Sequence, residues 1–378
     1  MKYFVIAGER SGDLHAGNLI KALKAYDTEA SVRGFGGDYM TAAGAEILVH
    51  YRELAFMGFL EVVKNLKTIK GLLKRCKEEI DQFKPDVIIL IDYAGFNLKI
   101  AKYAKEKGIA VYYYISPKVW AWNQKRALKI KRRVDHMFVI MPFEEEFYRK
   151  YDWKVDYVGN PVLDAVNDYR PDIKRTRLEG DYVAILPGSR QQELLNVFPV
   201  INQTIRQFPD QKFAVAAVDN LPGELYESIK SNRNVELVFG YTYDLLAHAK
   251  AAIVTSGTAT LETAMWEVPQ VVVYKTSGIS YKIAKWLIKV PYISLVNLIA
   301  NKEVIKELIQ DDLNLKNLSA ELTKIINNKN YRSGIIEEYR LMKQQLDIGR
   351  ASDNAARLMV KYLEGAKRET GNTMKRDL

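Results

Sequence analysis

Short apolar runs alternate along the chain with longer stretches in which apolar residues recur every three to four positions. The strand-like runs are "YFVIAG" (3–8), "AEILVH" (45–50), "DVIILID" (86–92), "AVYYYIS" (110–116) and "HMFVIM" (136–141). They are followed by "YVAILPG" (182–188), "KFAVAAV" (212–218), "VELVF" (235–239), "AAIVTSG" (251–257) and "QVVVYK" (270–275). These runs are continuous and rich in Val and Ile rather than alternating, as expected of parallel strands covered on both faces. Amphipathic segments at Glu61–Phe83, Asn97–Lys107, Arg190–Phe208 and Thr258–Trp266 read as helices between them. That alternation predicts an α/β doubly wound sheet. It occurs twice, on either side of the polar stretch "NDYRPDIKRTRLEGD" (167–181). The expectation is two Rossmann-like domains facing a cleft, over 1–168 and 169–348. A C-terminal helix over 349–366 is expected to pack back on the first domain, with a disordered tail over 367–378.

The opening "MKYFVIAGERSGD" is too short in its apolar part for a signal peptide, because Glu9 and Arg10 follow at once. No segment reaches about 18 uncharged apolar residues, so no membrane span is expected. For 378 residues, 48% hydrophobic and 27% charged, two folded domains are the natural division. A formal net charge of +10 points to an anionic partner: nucleic acid, anionic lipid or a phosphorylated substrate. The single cysteine, Cys76, excludes an internal disulfide and suits a reducing compartment. His15, His50, His136 and His248 form no metal-binding spacing, so no zinc site is expected.

Ligands of such sheets bind beyond the carboxyl ends of strands, where loops enter helix N-termini. Four loops stand out: "AGERSGDLHAG" (7–17), "LIDYAGFNLK" (90–99), "ILPGSRQQEL" (185–194) and "TSGTATLE" (255–262). In the last two, a glycine at a strand–helix turn allows close backbone approach, and free N–H groups of the first helical turn accept an anion. Gly188 and Ser189 supply one such turn, with Arg190 as a guanidinium for phosphate. Ser256, Gly257, Thr258 and Thr260 supply the second, and Glu262, one turn on, is placed for ribose hydroxyls. Ordinary N-capping by Ser and Thr is the alternative reading of either loop alone. A P-loop, a GxGxxG turn and a DxD pair are all missing, which implies metal-independent charge neutralisation by helix dipoles and arginine.

Together "GERSGD", "DYAGFN", "SPKVWAW", "LPGSR", "SGTATLE" and "VNLI", spread over residues 8–299, resemble the ordered motifs of the bacterial lipid-A-disaccharide synthase family. Arg10 and Ala94 depart from its pattern. The resemblance implies an inverting glycosyltransferase of the GT-B fold with no cofactor. It would join UDP-2,3-diacylglucosamine to 2,3-diacylglucosamine 1-phosphate, forming a β-1,6 disaccharide and UDP.

Inversion calls for a general base on the acceptor hydroxyl and stabilisation of departing UDP. Asp92 is the candidate base, with capping of the following helix as its other reading. Glu9 and His15 are the alternatives, and Ser11, Gly12 and Asp13 join them as acceptor contacts. Asn97 is expected to order the Asp92 loop, and Asn297 to reach the cleft from the second domain. Ser116 ends a strand ahead of Trp120 and Trp122, which either fill core or line the cleft. The following run Lys125–Arg133 is either a solvated face or a lipid-phosphate contact. Phe56, Met57, Phe59 and Leu60, ahead of a basic amphipathic segment, are the expected contact with the anionic inner face of the cytoplasmic membrane. The resemblance also admits a homodimer with exchanged C-terminal helices. A sugar-nucleotide 2-epimerase or peptidoglycan transferase is the rival within the class, and neither is expected to carry "SPKVWAW". A nucleic-acid-binding protein is the rival outside it, but no basic stripe with stacking aromatics is laid out.

Overall fold

The structure is a computed structural model that describes residues 1–54, 66–278 and 290–376. It divides into two compact units, Met1–Pro161 with Ile348–Leu378, and Val162–Asp347.

The first unit is built on β1 (Lys2–Ala7), β2 (Ser31–Gly36), β3 (Glu46–His50), β4 (Val87–Ile91), β5 (Ala110–Tyr114), β6 (His136–Val139) and β7 (Asp156–Tyr157). Their order across the sheet is β3-β2-β1-β4-β5-β6-β7, and every described pairing is parallel. Strand β2, "SVRGFG", does not look like a strand because two glycines interrupt it. Gly34 is needed there, since a Cβ at that position would stand 1.8 Å from the Val5 carbonyl oxygen of the neighbouring strand. One face of the sheet buries Tyr3, Val5 and Ala7 against Ala16, Leu19, Ile20 and Leu23 of the helix Arg10–Tyr26.

The C-terminal helix Ala351–Arg376 packs into that same core through Ala355, Ala356, Met359, Val360 and Leu363. Its Tyr362 stacks on His136 at 4.0 Å and donates to Asp156. The stretch from 367 onward, expected to be disordered, is helical as far as Arg376. Lys367 anchors it to Asp86 at 3.0 Å, and Arg368 pairs with Glu364 one turn back.

The second unit holds β8 (Tyr182–Leu186), β9 (Lys212–Ala217), β10 (Val235–Phe239), β11 (Ala251–Thr255), β12 (Gln270–Tyr274) and β13 (Glu307–Ile309), in the parallel order β10-β9-β8-β11-β12-β13. Successive residues of β8 go to opposite faces. Val183 and Ile185 join a core with Val197, Ile201 and Leu322, whereas Tyr182, Ala184 and Leu186 join one with Leu245 and Val268. The units change over at Pro161, earlier than the boundary at 168 read from composition. The polar stretch after it belongs to the second unit because a fully buried carboxylate ties it there. Asp244 accepts from the Tyr169 hydroxyl and the Asp172 N–H, and Arg175 lies 3.5 Å away.

Each sheet has one place where chain order reverses direction, between β1 and β4 and between β8 and β11. At such a switch point, the two loops leaving the adjacent strands part to opposite faces and open a crevice. The four loops picked out by their glycines and hydroxyls are the four that flank these two reversals.

Candidate active site

At the first switch point, β4 runs buried to Ile91, and the next two residues turn sharply. Asp92 (φ 42°) and Tyr93 (φ 39°) are both left-handed without being glycine. Each such residue costs on the order of 1 kcal/mol and persists only where neighbours enforce it. The enforcers are visible. Buried Asn97 donates from Nδ2 to the Ile91 and Asp92 carbonyls at 3.1 and 3.0 Å, and the Tyr113 hydroxyl donates to the same Asp92 carbonyl. Tyr93 donates to the Leu54 carbonyl, and its ring covers Gly8, where a Cβ would come within 2.3 Å of it. Asn97 therefore orders this loop through its backbone.

The Asp92 carboxylate itself reaches solvent. Enough protein crowds it that desolvation raises its carboxyl above the usual range, while the Lys118 charge and the Tyr93 N–H act the other way.

The loop after β1 contributes less than its sequence suggested. Asp13 is fully buried and accepts from the backbone N–H groups of Gly37 (2.7 Å), Tyr39 (3.0 Å) and Met40 (3.2 Å). It caps the start of the helix Asp38–Ala42 from outside, with both carboxylate oxygens engaged by the backbone. His15 is half-buried, and burial lowers its imidazole to about 4, which leaves it neutral and weakly basic at physiological pH. Gly12 is packed on Ala7 and Ile91. Glu9, at the N-cap position with its side chain making no cap, and Ser11 remain at the accessible rim.

Beyond β5, Ser116 and Trp120 are buried, and both donate to the same atom, Oε1 of Glu144, the indole at 3.2 Å. The other oxygen accepts from the Met141 and Ile140 N–H groups at 3.0 and 3.3 Å. Trp120 is thus core, edge-on to Phe143, while Trp122 is 44% exposed. Burial pushes the Glu144 carboxyl up to about 7 against these four hydrogen bonds. The sequence offers no sign of Glu144, which reads as one of three consecutive surface glutamates at 144–146.

At the second switch point, Gly188 is left-handed (φ 105°). The Ser189 and Arg190 N–H groups both donate to Oε2 of Glu193, at 2.9 and 3.2 Å. A carboxylate of the protein therefore holds the amides expected to cradle phosphate. Glycine at 188 is required because φ 105° is a conformation that L side chains rarely adopt. What remains for an anion is the Arg190 guanidinium, 72% exposed and 3.7 Å from Glu193.

In the other loop, the Ser256 hydroxyl donates to the Ile293 carbonyl. Thr260 is fully buried, donating to the Gly257 carbonyl at 2.8 Å and accepting from the Leu295 N–H at 3.3 Å. These hydroxyls fix the turn instead of facing a ligand. Gly257 and Thr258 are exposed at the start of the helix Thr258–Met265. Glu262 is half-buried, accepts from the Tyr243 hydroxyl at 2.9 Å and is raised in pKa by burial.

Asn297 does not reach outward either. It is fully buried, donating to the Ile305 carbonyl and Glu307 and accepting from the Val304 and Ile305 N–H groups. Phe56, Met57, Phe59 and Leu60 lie outside the described residues. Among the described residues, no three His, Cys, Asp or Glu side chains are grouped to hold a metal ion, and no helix is long and apolar enough to cross a membrane.

The profile of the lipid-A-disaccharide synthetase family matches residues 3–360. The chain is 38% identical over 364 residues to the lipid-A-disaccharide synthase of Syntrophus aciditrophicus, a match covering 93% of this chain and 95% of that one. It is 35% identical over 367 residues to that of Coxiella burnetii, covering 94% and 96%. In fold it is similar to the UDP-GlcNAc 2-epimerase of Neisseria meningitidis bound to UDP-GlcNAc, at a TM-score of 0.66 and 13% identity over 97% of this chain and 100% of that one. It is similar also to the calicheamicin glycosyltransferase CalG4, at a TM-score of 0.62 and 15% identity over 96% and 98%.

Proposed function

Since the chain belongs to the lipid-A-disaccharide synthase family and is accordingly a glycosyltransferase of lipid A biosynthesis, we propose how its residues divide the reaction. The donor is UDP-2,3-diacylglucosamine and the acceptor 2,3-diacylglucosamine 1-phosphate. Asp92 takes the proton from the acceptor 6-hydroxyl as that oxygen attacks the anomeric carbon. The bond from that carbon to the phosphate oxygen breaks, and UDP departs with the electron pair on its β-phosphate. Attack opposite the leaving group gives the β-1,6 linkage.

The observation that carries this reading is the Asp92 turn. Two left-handed residues are held by Asn97, Tyr113 and Tyr93 while the carboxylate they present stays accessible. Desolvation works in the right direction, because a carboxyl raised toward neutrality is a stronger base. Glu9, at the rim of the adjoining loop, is the acceptor contact.

In the second unit, Arg190 and the exposed Gly257–Thr258 turn receive the diphosphate. The N-terminus of the helix Thr258–Met265 adds its partial positive charge. Glu262, oriented by Tyr243, meets the ribose. The enzyme works at the inner face of the cytoplasmic membrane, with Phe56, Met57, Phe59 and Leu60 as the apolar contact. Mass spectrometry after incubation with the two acylated sugars tests the reading. A disaccharide 1-phosphate is expected, together with UDP in equal amount. Conversion of the donor alone to an isomer of unchanged mass would assign the chain an epimerase activity instead.

A further inference from the structure

The basic run after β5 divides into two sets of side chains. Ala127, Ile130 and Val134 are buried. Lys131 donates to the Tyr151 and Asp152 carbonyls, and Arg133 donates to the Leu98 carbonyl at 3.0 Å. This set ties the short helix Arg126–Lys131 to the first unit. The other set faces water: Lys125, Leu128, Lys129 and Arg132 are exposed. Lys125 and Arg132 cap the two ends of the helix and keep its right-handed backbone conformation. The four residues are therefore spaced along one face, three or four positions apart, and form a single outward stripe.

No carboxylate answers the three cations of the stripe. From Ile115 to Val134 the chain carries seven Lys or Arg and no Asp or Glu. Two acids lie close by, and each is paired elsewhere. Asp135 meets Lys105 at 2.6 Å, and Asp152 meets Lys131 at 3.7 Å. Among the described residues, Lys125, Lys129 and Arg132 form no ion pair. Two large apolar side chains stand beside these charges, Leu128 at 47% exposure and Trp122 at 44%.

Like charges without partners and an uncovered leucine and indole fit one kind of surface. Headgroup phosphates neutralise the cations, while Leu128 and Trp122 enter the boundary between headgroups and acyl chains. Nucleic acid would match the charge but not Leu128, which has no ring to stack on a base. The position suits a lipid acceptor as well. β4 and β5 are parallel, and the Asp92 N–H donates to the Tyr114 carbonyl at 3.3 Å. The turn carrying Trp122 thus leaves the sheet at the same edge as Asp92.

We infer that Lys125, Leu128, Lys129 and Arg132, with Trp122, form a docking surface for the anionic phospholipid headgroups of a bilayer, distinct from the segment 56–60. The inference rests on the proposed reading that the enzyme works at a membrane surface.

Sedimentation of the full-length enzyme with phosphatidylcholine vesicles, with and without phosphatidylglycerol, tests it. The variant Lys125→Gln/Lys129→Gln/Arg132→Gln should bind the anionic vesicles roughly 100-fold more weakly at low salt, about fivefold per charge. Its binding to neutral vesicles should not change. Trp122→Ser/Leu128→Ser should weaken binding to both by roughly tenfold, since apolar insertion does not depend on lipid charge. Lys125→Arg/Lys129→Arg/Arg132→Lys should bind as wild type does. With both acylated sugars in micelles of neutral detergent, the glutamine variant should keep the wild-type kcat and KM.

A glutamine variant that sediments with anionic vesicles as wild type does overturns the inference. So does a raised KM for the acceptor in micelles, which would give these cations to the acceptor's own 1-phosphate. Duplex DNA that binds the wild type as tightly as the vesicles do, and is lost with them in the glutamine variant, would make this a nucleic-acid face. Two failures stay apart. Wild type that ignores every vesicle ends the membrane reading itself, whereas equal binding by wild type and variant removes only this surface.

Discussion

Asp13 spends its carboxylate on three backbone N–H groups that lie 24 to 27 residues away in sequence. A local reading of "GERSGD" cannot see those partners, which is why Asp13 looked like a substrate contact. Asp13→Asn turns one acceptor into a donor facing an N–H, and it should cost about 1–3 kcal/mol in urea unfolding. Turnover at 20 °C should stay near wild type; a large rate loss at unchanged stability would return Asp13 to the substrate.

Glu144 makes a second residue-scale prediction. Its carboxyl stands near 7 in the folded protein against an ordinary 4.5, so the folded state holds the extra proton between those values. The stability this contributes is fully present below about 4.5 and is lost as pH rises through 7. Wild type should therefore lose stability relative to Glu144→Gln between pH 5 and 8, by an amount on the order of 3 kcal/mol. Parallel stability curves for the two proteins over that range would contradict this.

Among the elements, parallel strands were legible because β1, β4, β8 and β11 are buried on both faces and carry apolar side chains at nearly every position, Lys2 and Thr255 being the end residues that do not. Three strands were not. β2 contains Gly34 and Gly36, while β7 and β13 have two and three residues and take their place from neighbours rather than from their own composition. The strand-end loops were legible by glycine and hydroxyl content, but what those groups do was not. "SRQQE" also fits a helix start, with an acid three residues past the N-cap, and Glu193 uses that spacing to cover the Ser189 and Arg190 amides. The hydroxyl of Thr260 and the amide of Asn297 likewise serve the helix Leu295–Ala300 and the loop after it. In the proposed reading this leaves Arg190, with its exposed guanidinium, as the cationic contact for the diphosphate. Arg190→Ala should weaken UDP binding by roughly tenfold or more in calorimetry, the worth of a charge-assisted hydrogen bond. Unchanged affinity would mean that the guanidinium points away from the nucleotide.

For the whole molecule, no described helix is long and apolar enough to cross a bilayer, so the proposed bilayer contact falls to a surface segment. The described helix Leu66–Phe83 buries Leu72, Cys76, Ile80 and Phe83 and exposes Lys67, Lys70, Lys74 and Arg75. A packed helix with a basic outer face suits a surface of anionic lipid. Phe56→Ser/Phe59→Ser should reduce sedimentation with anionic vesicles, and added salt should release the wild type. Equal sedimentation of both proteins would place the contact elsewhere.

The central claim is that the two units divide the work, the first supplying the base and the second holding the nucleotide. Asp92→Asn tests it most directly, with UDP binding by calorimetry and disaccharide formation measured on the same preparation. UDP affinity should be unchanged while turnover falls by about two to four orders of magnitude, the usual worth of a general base. Turnover near the wild-type rate, or a loss of UDP binding in step with activity, would contradict the division.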